Sequence, residues 1–168
     1  ATVVFSDHGM VNVCSTIDVL KELERHGLRM QRDYFAILDS TLARFWADRP
    51  TLCKISEILS CVGEGRILSK EELKGFHVPH GGVYGDLVFL ANPGVMISPN
   101  FYQRNRLVAA MHGYDPDSEG QDGAFILSGN VDASITQSKV DLVDIMPTLL
   151  ALIGIPPPSS CVGKSLID

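Results

Sequence analysis

Short apolar runs alternate along this chain with segments whose apolar positions recur every three or four residues. Residues 1–5 (Ala1-Thr2-Val3-Val4-Phe5) are apolar or β-branched and contain no glycine or proline, which predicts a strand. The run does not alternate, so the strand is expected to be buried on both faces within a parallel sheet. Ser15 opens an apparent capping box with Asp18, and Ile17, Leu20 and Leu23 follow at helical spacing until Gly27 stops the helix. Residues 34–38 predict a second strand. Pro50 suits the first turn of a second helix with Leu52, Ile55, Leu59 and Val62 on its inner face, closed by Gly63 and Gly65. Ser69 and Glu72 form another capping box, for a short helix ending near Gly75. Strands are expected at 87–91, 95–98 and 124–127, and a last helix at 140–153, stopped by Gly154 and Pro156-Pro157-Pro158. Strands interspersed with amphipathic helices predict an α/β fold: a mixed, largely parallel sheet flanked by helices.

Composition narrows the function classes. The 168 residues, 45% hydrophobic and 20% charged, suit one globular domain. A net charge of −6 argues against a nucleic-acid-binding surface, which needs clustered Lys and Arg. Arg104 with Arg106 is a short basic cluster, read as loop surface ahead of a cationic rim for phosphate groups. The most apolar stretch, 140–155, is interrupted by Asp141, Asp144 and Pro147 and is too short to cross a membrane. No cationic-then-apolar leader stands at Ala1. Cys14, Cys53, Cys61 and Cys161 lack Cys-x-x-Cys spacing. Cys53 and Cys61 are expected as buried small residues of the second helix, and the usage favours a reducing, cytoplasmic compartment.

The chemistry concentrates just after the first strand, at Ser6-Asp7-His8-Gly9-Met10. Ligands in open α/β sheets sit beyond the carboxyl ends of strands. A carboxylate beside an imidazole there is a donor pair suited to Zn²⁺ or Mn²⁺. Gly9 is expected to let the chain turn so that both side chains serve one ion. On these residues alone, a polar strand-to-loop turn is an equal reading. Ser6, Asp7 and His8 do not make a Ser-His-Asp triad, because adjacent side chains cannot line up as nucleophile, base and orienter. His77 and His80 bracket Pro79 with no carboxylate or cysteine beside them, so a loop surface is favoured over a metal role. The acidic segment 115–123 lacks the ligand ladder of a calcium loop. His26, at a helix end one turn from Glu22, reads as structural. Tyr34, Phe45, Trp46 and Tyr102 could stack on a base, but core packing is the favoured reading.

A second segment, Met111-His112-Gly113-Tyr114-Asp115, changes the balance. Ser-Asp-His-Gly-Met after an apolar strand, followed far downstream by His-Gly-Tyr-Asp, resembles the alkaline phosphatase superfamily, and within it the type I phosphodiesterase/nucleotide pyrophosphatase family. The stretches 33–46, Gly65-Arg66-Ile67-Leu68-Ser69, Pro93-Gly94-Val95-Met96-Ile97, 143–150 and Gly154-Ile155-Pro156 fit the same pattern. The resemblance implies an alkaline-phosphatase-like fold in part: residues 1–168 as the C-terminal portion of a metallohydrolase catalytic domain, with an inserted subregion at about 28–110.

It also implies a two-metal site, most often zinc, with manganese possible, that cleaves phosphodiester or phosphoanhydride bonds of a nucleotide or similar small molecule. By resemblance Asp7 and His8 belong to the metal that activates the nucleophile, and His112 to the other. Asp115 is a candidate to orient His112 through its second ring nitrogen, a simple turn carboxylate being the equal alternative. The Thr or Ser nucleophile and the earlier ligands have no counterpart here, so the missing N-terminal half of the domain is the implied partner and this chain alone is expected to be inactive. Two other readings stand beside it. One is a non-catalytic fragment or assembly and binding module; the other is a phosphomonoesterase, phosphomutase or sulfatase of the same superfamily.

Overall fold

The computed structural model describes residues 1–79, 81–129, 135 and 139–167. They divide into two compact units: a discontinuous one of residues 1–7 with 123–168, and a continuous one of residues 8–122.

The continuous unit is built on a four-stranded antiparallel sheet. Its strands are β4 (Phe35–Leu38), β5 (Leu42–Trp46), β6 (Gly65–Ile67) and β7 (Leu87–Ala91), in the spatial order β4-β5-β7-β6. β7 shows why the sheet holds together. Phe89 and Ala91 face a cluster with Leu23, Ile55 and Leu59, while the alternate residues Val88 and Leu90 face Leu68 and Leu73. Both faces of this central strand are therefore dry, as a continuous apolar run requires. Helices α1 (Val19–Arg25) and α2 (Arg49–Ser60) cover the first face, and α3 (Lys70–Gly75) the second. The predicted capping box of α3 is present, with the Ser69 and Glu72 side chains each serving the other's backbone N–H. Asp48 caps α2, and Gly27, at φ +82°, ends α1. Four shorter strands complete the named pairings of this unit. β3 (Ser15–Ile17) runs parallel to β8 (Val95–Ile97), and β2 (Val11–Asn12) pairs antiparallel with β9 (Ala110–Met111).

The discontinuous unit pairs β1 (Thr2–Phe5) with β10 (Phe125–Ser128), antiparallel. The Ser6 N–H and the Ala124 carbonyl continue that ladder at 2.9 Å, up to the residue before Asp7. A 3₁₀ turn (Leu142–Asp144) leads into α4 (Ile145–Leu152). The last residues are tied back to it, the Leu166 N–H donating to the fully buried Thr148 hydroxyl at 3.0 Å.

The α/β class holds, with five corrections in detail. Among the named strands β3 with β8 is the parallel pairing, and the others run antiparallel, where a largely parallel sheet was expected. An apolar run reports burial tendency and carries no information on strand direction. β1 is one such case: it is antiparallel, and Val4 and Phe5 are about half exposed instead of buried. Ser15 belongs to a strand, and Asp18 is itself the N-cap of α1, its carboxylate accepting from the Lys21 N–H at 2.9 Å. Gly65 opens β6 rather than closing α2; a Cβ there would meet the Phe89 ring and the Leu90 carbonyl. Cys53 and Cys61 are exposed, because the buried stripe of α2 runs through Ile55, Ile58 and Leu59.

Candidate functional site

The β2–β9 ladder brings two of the sequence candidates together. Val11 pairs with Met111 and Asn12 with Ala110, and the Val13 N–H donates to the Ala109 carbonyl at 2.9 Å. In an antiparallel pair, the residues before one strand and after the other share an end. His8 precedes β2 and His112 follows β9, so both lie at that end. Their imidazoles stack face to face, with centroids 3.7 Å apart and planes 10° from parallel. His8 Nδ1 lies 2.7 Å from the Gly9 carbonyl oxygen. Since that oxygen only accepts, Nδ1 carries the hydrogen, and in the neutral ring the lone pair is on Nε2.

The surroundings of the pair are set by close backbone packing. A Cβ on Gly9 would collide with the carbonyl oxygens of Gly120 and Asp122, and the Gly9 N–H donates to the Gln121 carbonyl at 2.8 Å. Gly9 is therefore needed for space, and its φ is not in the left-handed region. Gly113 does need its freedom, at φ +85°. Its carbonyl accepts from the buried Thr41 hydroxyl at 2.7 Å. Tyr114 is packed with Met96 and Met111, which raises its phenol pKa by burial. Asp115 accepts from the Arg66 guanidinium at 2.5 Å and from the Asp117 N–H at 3.0 Å, a local turn.

Asp7 is joined to His8 by the peptide bond and ends the discontinuous unit, with an exposed side chain. Among the described residues, no three His, Cys, Asp or Glu side chains gather as a ligand cluster. Two imidazoles with a sequence-adjacent carboxylate fit the donor chemistry of zinc, but divided between two ions they give each fewer than the three protein ligands that a catalytic zinc ion takes. His77 stands apart from the pair at the end of α3, at φ +55°, and His80 lies outside the described residues. The His26 ring nitrogen Nδ1 lies 3.0 Å from the Glu22 carbonyl, at the end of α1. Tyr34 and Phe45 are core residues, the Trp46 indole N–H donates to the Gly82 carbonyl, and Tyr102 is exposed. Arg104 and Arg106 are exposed loop residues.

Sequence reasoning missed Thr41 and Arg66 as partners of the His112 segment. They are 72 and 49 residues from the groups they hold, and only the fold relates them. One clue was open to reading: a Ser-Thr pair between two apolar runs, which the fold buries as the β4–β5 turn.

No protein-family model and no curated protein matches the chain. Solved structures do. Human ectonucleotide pyrophosphatase/phosphodiesterase 5 aligns over 93% of this chain and 41% of its own, with TM-score 0.71 and 20% identity. The murine protein of the same name aligns over 73% and 32%, with TM-score 0.57 and 22% identity, and a structure of its inactive variant holds AMP. Phosphonoacetate hydrolase from Sinorhizobium meliloti 1021 aligns over 74% and 35%, with TM-score 0.54 and 20% identity. The chain thus spans less than half the length of each of these proteins. At these identities the likeness is one of fold: this chain shares the α/β fold of part of each of these proteins.

Proposed function

We propose that this chain is the C-terminal part of a metal-dependent hydrolase of phosphodiester or phosphoanhydride bonds, of the nucleotide pyrophosphatase/phosphodiesterase kind. The parallel stack of His8 and His112 carries the reading. An imidazole lone pair lies in the ring plane, so each ring would offer its donor nitrogen within its own plane. Two planes 10° from parallel and no more than 3.7 Å apart do not meet near the rings, so one ion cannot serve both. Each ring would therefore serve its own ion, the arrangement that a two-metal hydrolase needs. His8 Nε2, with Asp7 beside it, would hold one ion, and His112 the other. When bound, such ions stabilise charge on the attacking and leaving oxygens and acidify a bound water.

The chain's own contribution is placement. The β2–β9 ladder fixes the spacing of the rings, and the Gly9 carbonyl fixes the tautomer of His8. The nucleophile and the remaining ligands belong, in this reading, to the N-terminal part of the domain. Support comes from the share of the solved relatives that is covered, and from the apolar β1, half exposed at Val4 and Phe5.

The test uses the full-length protein. His8→Ala and His112→Ala should each lower bound zinc from two ions to about one, and cut turnover of bis(p-nitrophenyl) phosphate at least about 100-fold. Unchanged metal content in both variants refutes the assignment. A panel containing p-nitrophenyl phosphate and p-nitrophenyl sulfate separates diesterase from monoesterase and sulfatase. A second reading for the chain by itself is a non-catalytic module. Turnover by the isolated chain would exclude that reading.

A further inference from the structure

We propose that Thr41 and Arg66 are positioning residues that clamp the segment after His112 at two points and so set its ring parallel to His8; the catalytic meaning of this rests on the two-metal reading above. His112 is exposed; the β9 pairing holds the residue before it, but the residue after it is a glycine in the left-handed region, so the loop that follows has no ladder of its own. Its backbone is held from outside. The Thr41 hydroxyl donates to the carbonyl of Gly113, the next residue, at 2.7 Å. Two residues further on, Arg66 grips the Asp115 carboxylate at 2.5 Å.

Both holders stand on rigid ground. Thr41 sits in the buried β4–β5 turn, where its carbonyl accepts from the Ala91 N–H and the Ser40 carbonyl from the Ile97 N–H, each at 2.8 Å. The Ser40 hydroxyl donates to Gln103 Oε1 at 2.7 Å, so the turn is fastened on three sides. Arg66 lies on β6, and its other guanidinium nitrogen is 2.5 Å from Glu72 Oε1. Glu72 is itself fixed by the Ser69 N–H at 2.8 Å in the α3 cap. The clamp therefore refers the His112 loop to the four-stranded sheet. Asp115 acts on His112 through the backbone in this account. A hydroxyl at residue 41 is essential to it, because valine has the same shape and cannot donate.

The experiment uses full-length protein with isotopically labelled histidine, comparing Thr41→Val, Thr41→Ser, Arg66→Met and Arg66→Lys. Stacked imidazoles shift each other's ring protons upfield, which reports the stack with or without metal. In Thr41→Val and Arg66→Met that mutual shift should fall by about half or more, with at least one zinc bound about tenfold more weakly, the usual cost of losing a ligand-orienting partner. Thr41→Ser should restore both. Wild-type ring shifts in Thr41→Val, with only the unfolding midpoint lowered, would show a merely structural hydroxyl and overturn the proposal. If Thr41→Val fails to fold, the contrast of Thr41→Ser with Arg66→Met decides: normal ring shifts in Arg66→Met overturn the clamp. Wild-type protein that binds no zinc yet shows the stack and its loss in the variants would sink the metal reading and leave the clamp standing.

Discussion

Replacing Gly9 by alanine should damage both the stability of the continuous unit and the alignment of its histidines. The added Cβ would sit 2.7 Å from the Asp122 carbonyl oxygen and nearer still to that of Gly120. Ordinary carbon–oxygen contact needs about 3.2 Å or more, and both obstacles are backbone atoms that no side-chain rotation can remove. The chain must therefore part by about 1 Å, and the same movement stretches the 2.8 Å bond from the Gly9 N–H to Gln121. Overpacking of this kind costs about 1–3 kcal/mol, and the weakened hydrogen bond about 1 kcal/mol more. Reduced freedom of the unfolded chain returns about 0.4–1 kcal/mol. The expected net loss is about 1–4 kcal/mol, read by urea unfolding at constant slope. Gly63→Ala is the control: a Cβ there meets nothing within 4 Å and φ is not left-handed, so stability should be unchanged or slightly higher. The ring-proton shifts of His8 and His112 should weaken in Gly9→Ala and persist in Gly63→Ala. A Gly9→Ala protein as stable as wild type, with the stack intact, would refute the reasoning.

Three further outcomes are expected. The buried Tyr34 hydroxyl has no hydrogen-bond partner among the described residues, so Tyr34→Phe should leave stability unchanged or raise it by up to about 1 kcal/mol in thermal unfolding. Burial first, then Asp33, Glu24 and Asp18, push that phenol up to about 12 from 10.0. The folded state therefore holds the proton more tightly, so its contribution is whole below pH 10 and is lost as pH rises toward 12; Tyr34→Phe should flatten that part of the alkaline unfolding curve. The Glu72 carboxyl is held below its usual 4.5 by hydrogen bonds from the Ser69 backbone and hydroxyl, with Arg66 adding a smaller pull. Its stabilisation is present above that value and drains as pH falls below it, so Glu72→Gln should reduce the acid sensitivity of α3 in amide hydrogen exchange. Leu59→Ala, at a fully buried position on α2, should cost about 2–5 kcal/mol in urea unfolding.

The sequence revealed elements better than it revealed pairings. The α3 cap and the extent of β7 were legible because each depends on a few adjacent residues: Ser69 with Glu72, and an unbroken apolar run at 87–91. The short strands β2 and β9 were not, since two residues carry no periodicity. β5 was hidden by Arg44, which lies on the sheet face opposite Ala43 and Phe45 and covers the Tyr84 ring. Direction was beyond reach for β1, whose partner is more than 100 residues away. At the site, the family resemblance pointed to His8 and His112, while their mutual stack depends on the register of β2 with β9. The clamping roles of Thr41 and Arg66 arise only from the tertiary fold, which no local pattern encodes.

Anomalous X-ray scattering from zinc-loaded full-length protein tests the central claim most directly. Two peaks are expected, about 3.5–4 Å apart, one in the ring plane of His8 and one in that of His112. A single peak shared by both rings, or none beside either, would contradict it.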